Sequence, residues 1–108
     1  VAASKARLDA MVGSYTDRAP GDIPYAQTEY NIENPSKHDT VELTNGLFTT
    51  AALGEYASAG WSQAAIWDAY NGWDTTTLGD HGILARGAPG IPDGTPRPRG
   101  GWPPCSRD

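Results

Sequence analysis

Leu8, Met11, Val12 and Tyr15 recur at i, i+3, i+4 and i+7, the stripe of an amphipathic helix that should end between Gly13 and Tyr15. The segment TDRAPGDIP then reads as a loop, and residues 23–32 as a strand, with Pro24 near its start where a missing N–H is tolerated and Asn34-Pro35 closing it. Asp39 followed three positions later by Glu42 has the spacing of a capping box, so a second helix is expected from there. Its buried stripe should be Val41, Leu47, Phe48, Ala51, Ala52 and Tyr56, and Gly60 is a natural C-terminal stop. Beyond Gly60, the run QAAIWDAY at 63–70 has strand length and is bounded by the turn pair Asn71-Gly72.

The predicted order of helix, strand, helix, strand points to parallel strands joined by helical crossovers. Two parallel strands cannot cover both of their own faces, so the pattern suggests part of a larger α/β fold; a small α/β domain with one incomplete sheet is the alternative. Period-2 alternation sends Tyr25, Gln27 and Glu29 to one face of the first strand and Ala26, Thr28 and Tyr30 to the face turned toward the helices. The chain divides by composition into residues 1–87 and a Pro-, Gly- and Arg-rich stretch, 88–108, that lacks periodicity and is expected to be irregular.

At 108 residues there is about one small domain, and its aromatics are weighted to Trp (4) and Tyr (5) over Phe (1), which suits surfaces that meet water. Residues 1–96 hold 12 acidic and 5 basic groups, which argues against a nucleic-acid partner, while 97–108 hold 1 and 3. This change of sign and composition near Pro98 is expected from a shift of reading frame, from an artificial end of the fragment or from a flexible linker to another domain. No apolar run reaches the length of a membrane span, and VAASKARLDAM lacks the apolar core of a secretory signal. These features predict a chain that needs no membrane. The single cysteine, Cys105, cannot form an internal disulfide and leaves the redox compartment open.

Three groups of residues could carry chemistry. Glu29 stands at the end of an apolar strand, where it is either a solvated acid beside a turn or a carboxylate placed for work. Trp67, Tyr70 and Trp73 alternate with Asp68, Asn71 and Asp74; aromatic planes beside polar groups are what a sugar ring needs, although Trp67 could equally pack as core. Adjacent strand positions face opposite ways, so only one of Trp67 and Asp68 can face a cleft. Asp80-His81 lacks any recognised ligand spacing, and no metal or other cofactor is expected.

The pattern T-E-Y-N on a strand, then the helix HDTVELTNGLFTTAALGE, then a strand ending in WD, resembles the last quarter of the clan A retaining glycoside hydrolases, nearest to the α-L-arabinofuranosidase, xylosidase and endo-glycanase families. The resemblance covers about residues 1–96. It implies a partial (β/α)8 TIM barrel comprising helix six, strand seven, helix seven and strand eight, completed by strands outside this chain. It implies further that Glu29 is the catalytic nucleophile and that Trp67 floors a sugar subsite; alternation adds Gln27 and Asn31 on the Glu29 face, Asn31 either to hold a sugar hydroxyl or to fix the carboxylate, and Trp73, in a Gly- and Asp-rich loop, is expected as a further substrate contact. The partner is then an oligosaccharide or polysaccharide carrying arabinofuranoside, xyloside or glucan units, and a full-length enzyme acting on polysaccharide would be secreted. Retaining hydrolysis uses two carboxyl groups, and in this clan the acid/base group lies on strand four, outside this sequence, so residues 1–108 alone are expected to be inactive. The alternative is a non-catalytic carbohydrate-binding or interaction module built on Trp61, Trp67 and Trp73.

Overall fold

A computed structural model describes residues 1–32 and 38–97. In chain order these form helix α1 (Ala2–Tyr15), strand β1 (Ala26–Tyr30), a 3₁₀ turn (His38–Val41), helix α2 (Leu43–Ser58) and strand β2 (Gln63–Ile66). The Asn34-Pro35 turn and the stretch from Pro98 onward, Cys105 included, lie outside the described residues.

The strands pair in parallel, as a β-α-β connection through α2 requires. Ser62 N–H donates to Tyr25 O at 2.9 Å below the ladder, and Trp67 N–H donates to Tyr30 O at 3.0 Å above it. Between these ends the register slips: Gln27 faces Ala64 and Tyr30 faces Ile66, so β1 spends one more residue than β2 over the same interval. The slip falls on Thr28 and Glu29. A bulge of this kind breaks the two-residue alternation and re-aims the side chains on it. Tyr25 and Tyr30, expected on opposite faces, consequently reach one aromatic row, running Tyr25–Trp61–Tyr56–Tyr30 with centroid separations of 6.1, 5.4 and 5.2 Å.

Helix α2 ends as Gly60 predicts. With Ala59 as the C-cap, Gly60 takes φ +75°; its N–H donates to Ala57 O, and Trp61 N–H donates to Tyr56 O, both at 3.0 Å. This paired closure satisfies carbonyls that the helix leaves open, and it brings Trp61 against Tyr56. The start differs from expectation. The 3₁₀ turn takes up Asp39, the first capping-box residue, and the α-helix opens only at Leu43, with Glu42, the second, at its N-cap.

The face that α2 buries is also not the predicted one. Asn45, Gly46 and Thr49 are buried, while Leu47 and Phe48 remain 64% and 43% exposed and Ala51 is exposed. Hydrogen bonds account for this choice. Asn45 Nδ2 donates to Thr40 O at 2.8 Å, Thr49 Oγ1 to Asn45 O at 2.8 Å, and Tyr30 Oη to Thr49 O at 3.1 Å. Buried polar groups are tolerated when partnered in this way. The buried set is largely polar: Thr40, Asn45, Thr49, Asp80 and Arg97, against the apolar Tyr30, Ala85 and Ala88.

These observations correct the barrel expectation. The described residues contain two helices and one two-stranded parallel sheet, a small α/β fragment. A barrel helix buries a stripe against its strands, but α1 buries no residue, and Met11 and Tyr15 on its apolar stripe are strongly exposed. Strand β2 stops at Ile66 instead of continuing to Tyr70, because residues 68–69 turn to pair with 83–84. No helix among the described residues is long and apolar enough to cross a membrane.

Polar contacts tie α1 to the start of β1. Lys5 Nζ donates to Asp9 Oδ2 at 2.9 Å and lies 5.5 Å from the centroid of the Tyr25 ring. The hydrogen bond from Lys5 holds the Asp9 carboxyl below the usual carboxylate range, against a smaller opposing effect of burial. Burial, helped by the neighbouring Asp9, pushes the Tyr25 phenol up. Since the folded pKa of Asp9 is depressed, its contribution to stability is present above the unfolded value and is lost as pH falls through the folded one. Carboxyl NMR titration is expected to give Asp9 a midpoint below that of an unstructured aspartate, and Lys5→Met should move it upward. An unchanged midpoint in that variant would remove the contact from the account.

Candidate functional site

Past the C-terminal ends of both strands lies an open cleft of about 520 Å³, lined by Glu29, Tyr30, Asn31, Ile32, Trp67 and His81. Parallel strands bring their C-terminal ends to one rim, which is where open α/β sheets commonly bind ligands. Glu29 is exposed at the bulged end of β1. Trp67, the residue after β2, is 47% exposed, a large apolar surface for a residue at a cleft. The peptide bond from Trp67 to Asp68 is cis.

Asn31 laces the rim together. Its Nδ2 donates to Trp67 O and, at 3.2 Å, to His81 O, while its Oδ1 accepts from Ile32 N–H at 2.7 Å. His81 O also accepts from Asp68 N–H at 3.3 Å. One carboxamide therefore joins the end of β1, the end of β2 and the 81 segment.

The 81 segment is held from behind by Asp80, which is buried. Its Oδ1 accepts from Gly82 N–H at 2.8 Å and Gly72 N–H at 3.1 Å, and its Oδ2 from Arg97 at 2.7 Å. Its own N–H donates to Thr40 Oγ1 at 3.1 Å, joining the segment to the entry of α2. Gly82 is required by space: a Cβ there would come within 2.8 Å of Leu84 O and 3.0 Å of Asn71 N, both backbone atoms with little freedom to yield. Arg97 is itself buried, and its guanidinium lies 5.9 Å from the Trp73 ring centroid. Backbone bonds from Ala85 N–H to Thr95 O and from Arg97 N–H to Ile83 O, each 2.8 Å, bring residues 95–97 alongside 83–85.

Of the site residues expected from sequence, Glu29, Asn31 and Trp67 meet in this cleft. Gln27 does not line it, and its Nε2 donates to Glu29 O at 2.6 Å, bracing the bulge. Trp73 packs beneath Arg97, outside the cleft, and Trp61 belongs to the aromatic row. The three tryptophans thus form no common platform. Trp67, and not Asp68, lines the cleft; Asp68 is half-buried, and its Oδ1 makes no hydrogen bond. Sequence reasoning missed His81, which lies 50 positions from its hydrogen-bond partner Asn31 in a segment without periodicity. The legible trace was Asp80 and Gly82 on either side of it, a carboxylate and a small residue in an otherwise irregular stretch. Among the described residues no three His, Cys, Asp or Glu side chains gather as a metal ion would need. No family model, curated protein or solved structure matches this chain.

The Asp80 arrangement has a measurable consequence. Removing one partner of a buried ion pair costs about 3–5 kcal/mol, comparable with the lower end of the ~5–15 kcal/mol that holds a folded domain together. Asp80→Ala, which also orphans the Gly72 and Gly82 amides, is expected to abolish the near-UV circular dichroism of the tryptophans at 25 °C. Arg97→Met should retain part of that signal, because the two backbone donors to Asp80 survive. A wild-type spectrum for Asp80→Ala would show that the buried carboxylate is dispensable.

Proposed function

We propose that the chain is part of a retaining glycoside hydrolase acting on arabinofuranoside, xyloside or glucan units of plant-type polysaccharides or oligosaccharides, with Glu29 as nucleophile. The observation that carries this reading is the sharing of one cleft by an exposed strand-end carboxylate and an exposed indole. An indole face receives the C–H face of a sugar ring, and a carboxylate beside it can attack the anomeric carbon to give a glycosyl-enzyme. In that attack a carboxylate oxygen bonds to C1 while the C1–O bond to the leaving group breaks, and the departing oxygen needs a proton. Retaining enzymes supply it from a second carboxyl about 5–5.5 Å away. Glu29 is the one carboxylate among the described residues lining the cleft, and on this reading the acid/base group belongs to polypeptide outside this chain.

Binding is accordingly expected without turnover. Titration of the labelled protein with xylotetraose and arabinotriose, followed through the Trp67 indole N–H resonance, should give saturable shifts. Trp67→Ala should weaken binding about tenfold or more, which corresponds to about 1.4 kcal/mol, whereas Glu29→Gln should leave it within about threefold, since an isosteric amide preserves the cleft. Neither 4-nitrophenyl α-L-arabinofuranoside nor the β-D-xyloside should be hydrolysed. Absence of binding by either oligosaccharide would overturn the saccharide reading, and hydrolysis that disappears in Glu29→Gln would overturn the assignment of the acid/base group to another segment.

The alternative, a binding module without catalysis, draws on the exposure of Trp67 alone. It is distinguished in the full-length protein, where Glu29→Gln abolishes turnover on the hydrolase reading and changes nothing on the module reading.

A further inference from the structure

The sequence holds two Asn-Gly pairs, Asn45-Gly46 and Asn71-Gly72. Such a pair is chemically fragile, because glycine has no side chain to keep its main-chain nitrogen away from the preceding carboxamide. In the reaction the glycine N–H gives up its proton and the nitrogen bonds to the asparagine Cγ. The Cγ–Nδ2 bond breaks, ammonia leaves with the proton, and a cyclic succinimide remains. Water then opens the ring at one carbonyl or the other. The product is aspartate or isoaspartate, and in the latter the main chain runs through Cβ and is one carbon longer. Water is the only co-reactant.

The two pairs are closed by different means. Asn45 is buried, its Nδ2 donates to Thr40 O at 2.8 Å, and Gly46 is buried within α2. Asn71 is exposed, and among the described residues no hydrogen bond holds its side-chain carboxamide. What closes this pair is the Gly72 N–H, which donates to Asp80 Oδ1 at 3.1 Å. The nitrogen that would attack is committed to a buried carboxylate, and taking its proton would set one anion against another at that distance.

We infer that Asn71 is a latent deamidation site which Asp80 keeps closed while the fold is intact, and that modification there shuts the chain out of the folded arrangement. Deamidation is far slower than the opening and closing of a fold, so its rate follows the population of the open state. The isoaspartyl form adds a carbon to the main chain immediately before Gly72, and either product places a new carboxylate beside an amide that Asp80 must receive. The surroundings leave little space to absorb the change. The Asn71 nitrogen lies 3.0 Å from where a Cβ on Gly82 would stand, and Asp80 Oδ1 also accepts from Gly82 N–H. One wall of the cleft is thus exposed to an irreversible chemical loss that the folded state itself holds back. This holds whatever the cleft binds.

The test incubates the full chain at mildly alkaline pH and follows Asn71 and Asn45 separately by peptide mapping, with isoaspartate counted by enzymatic methylation. In the folded protein both asparagines should convert at least about a hundredfold more slowly than in the chain unfolded by urea. Through a urea series, conversion at Asn71 should rise in proportion to hydrogen exchange of the Gly72 amide, because both need that N–H released from Asp80. Chains converted at Asn71 alone, separated by charge and returned to native conditions, should lose the slow exchange of the Gly82 amide. Conversion of Asn71 in the folded protein at the unfolded rate, with Asn45 intact, overturns closure by Asp80. Converted chains that protect Gly82 as well as unconverted ones overturn the exclusion from the fold.

Discussion

A carboxylate taken out of water must be surrounded by donors, and the surroundings of Asp80 shape much of this molecule. Two backbone amides, Gly72 and Gly82, and the buried guanidinium of Arg97 converge on its oxygens, while its own amide reaches Thr40 at the entry of α2. Four separated stretches of chain are thereby fixed to one another. Hydrogen bonds to a charged acceptor are stronger and more directional than contacts between apolar chains, and an incomplete set is costly. This explains how a fragment whose buried apolar residues, among those described, are only Tyr30, Ala85 and Ala88 can hold an irregular 30-residue stretch, residues 68–97, in one arrangement against α2.

The cleft is the downstream result of that arrangement and of the bulge in β1. The extra residue between Gln27 and Tyr30 turns Tyr30 onto α2 and leaves Glu29 at the rim. The Asp80 network sets the opposite wall, and Asn31 spans the two. Glu29, Trp67 and His81 are brought together from positions distant in sequence by backbone hydrogen bonds more than by apolar packing. A saccharide-binding reading suits such a wall, because polyhydroxylated ligands are oriented by a few well-placed polar groups beside an aromatic surface.

Local signals in the sequence were legible where local physics decided the outcome. The end of α1 at Tyr15, the parallel β-α-β order and the stop at Gly60 follow from periodicity, connection length and a left-handed glycine. The meeting of Glu29 and Trp67 was legible as well, since parallel strands place their C-terminal residues at one rim. What was hidden depended on partners remote in sequence. The buried side of α2 could not be read from hydrophobicity, because Asn45 and Thr49 are drawn inward by the hydrogen bonds available to them, leaving Leu47 and Phe48 outside. The bulge left no mark in YAQTEYNI, and without it Tyr25 and Tyr30 read as facing apart. The roles of Asp80 and Arg97 depend on a pairing across 17 positions that no spacing rule describes. Extension of the fragment to a barrel went further than two strands and two helices support.

The central claim is that a buried carboxylate organises the wall of the cleft, and native-state hydrogen exchange of the unmodified protein tests it most directly. The amides of Gly72, Asp80 and Gly82 lie in loops, where exchange is ordinarily fast, yet they should exchange only as slowly as the whole molecule unfolds, matching the slowest amides of α2. Exchange of these three at the rate of exposed loop amides, with α2 still protected, would contradict the account.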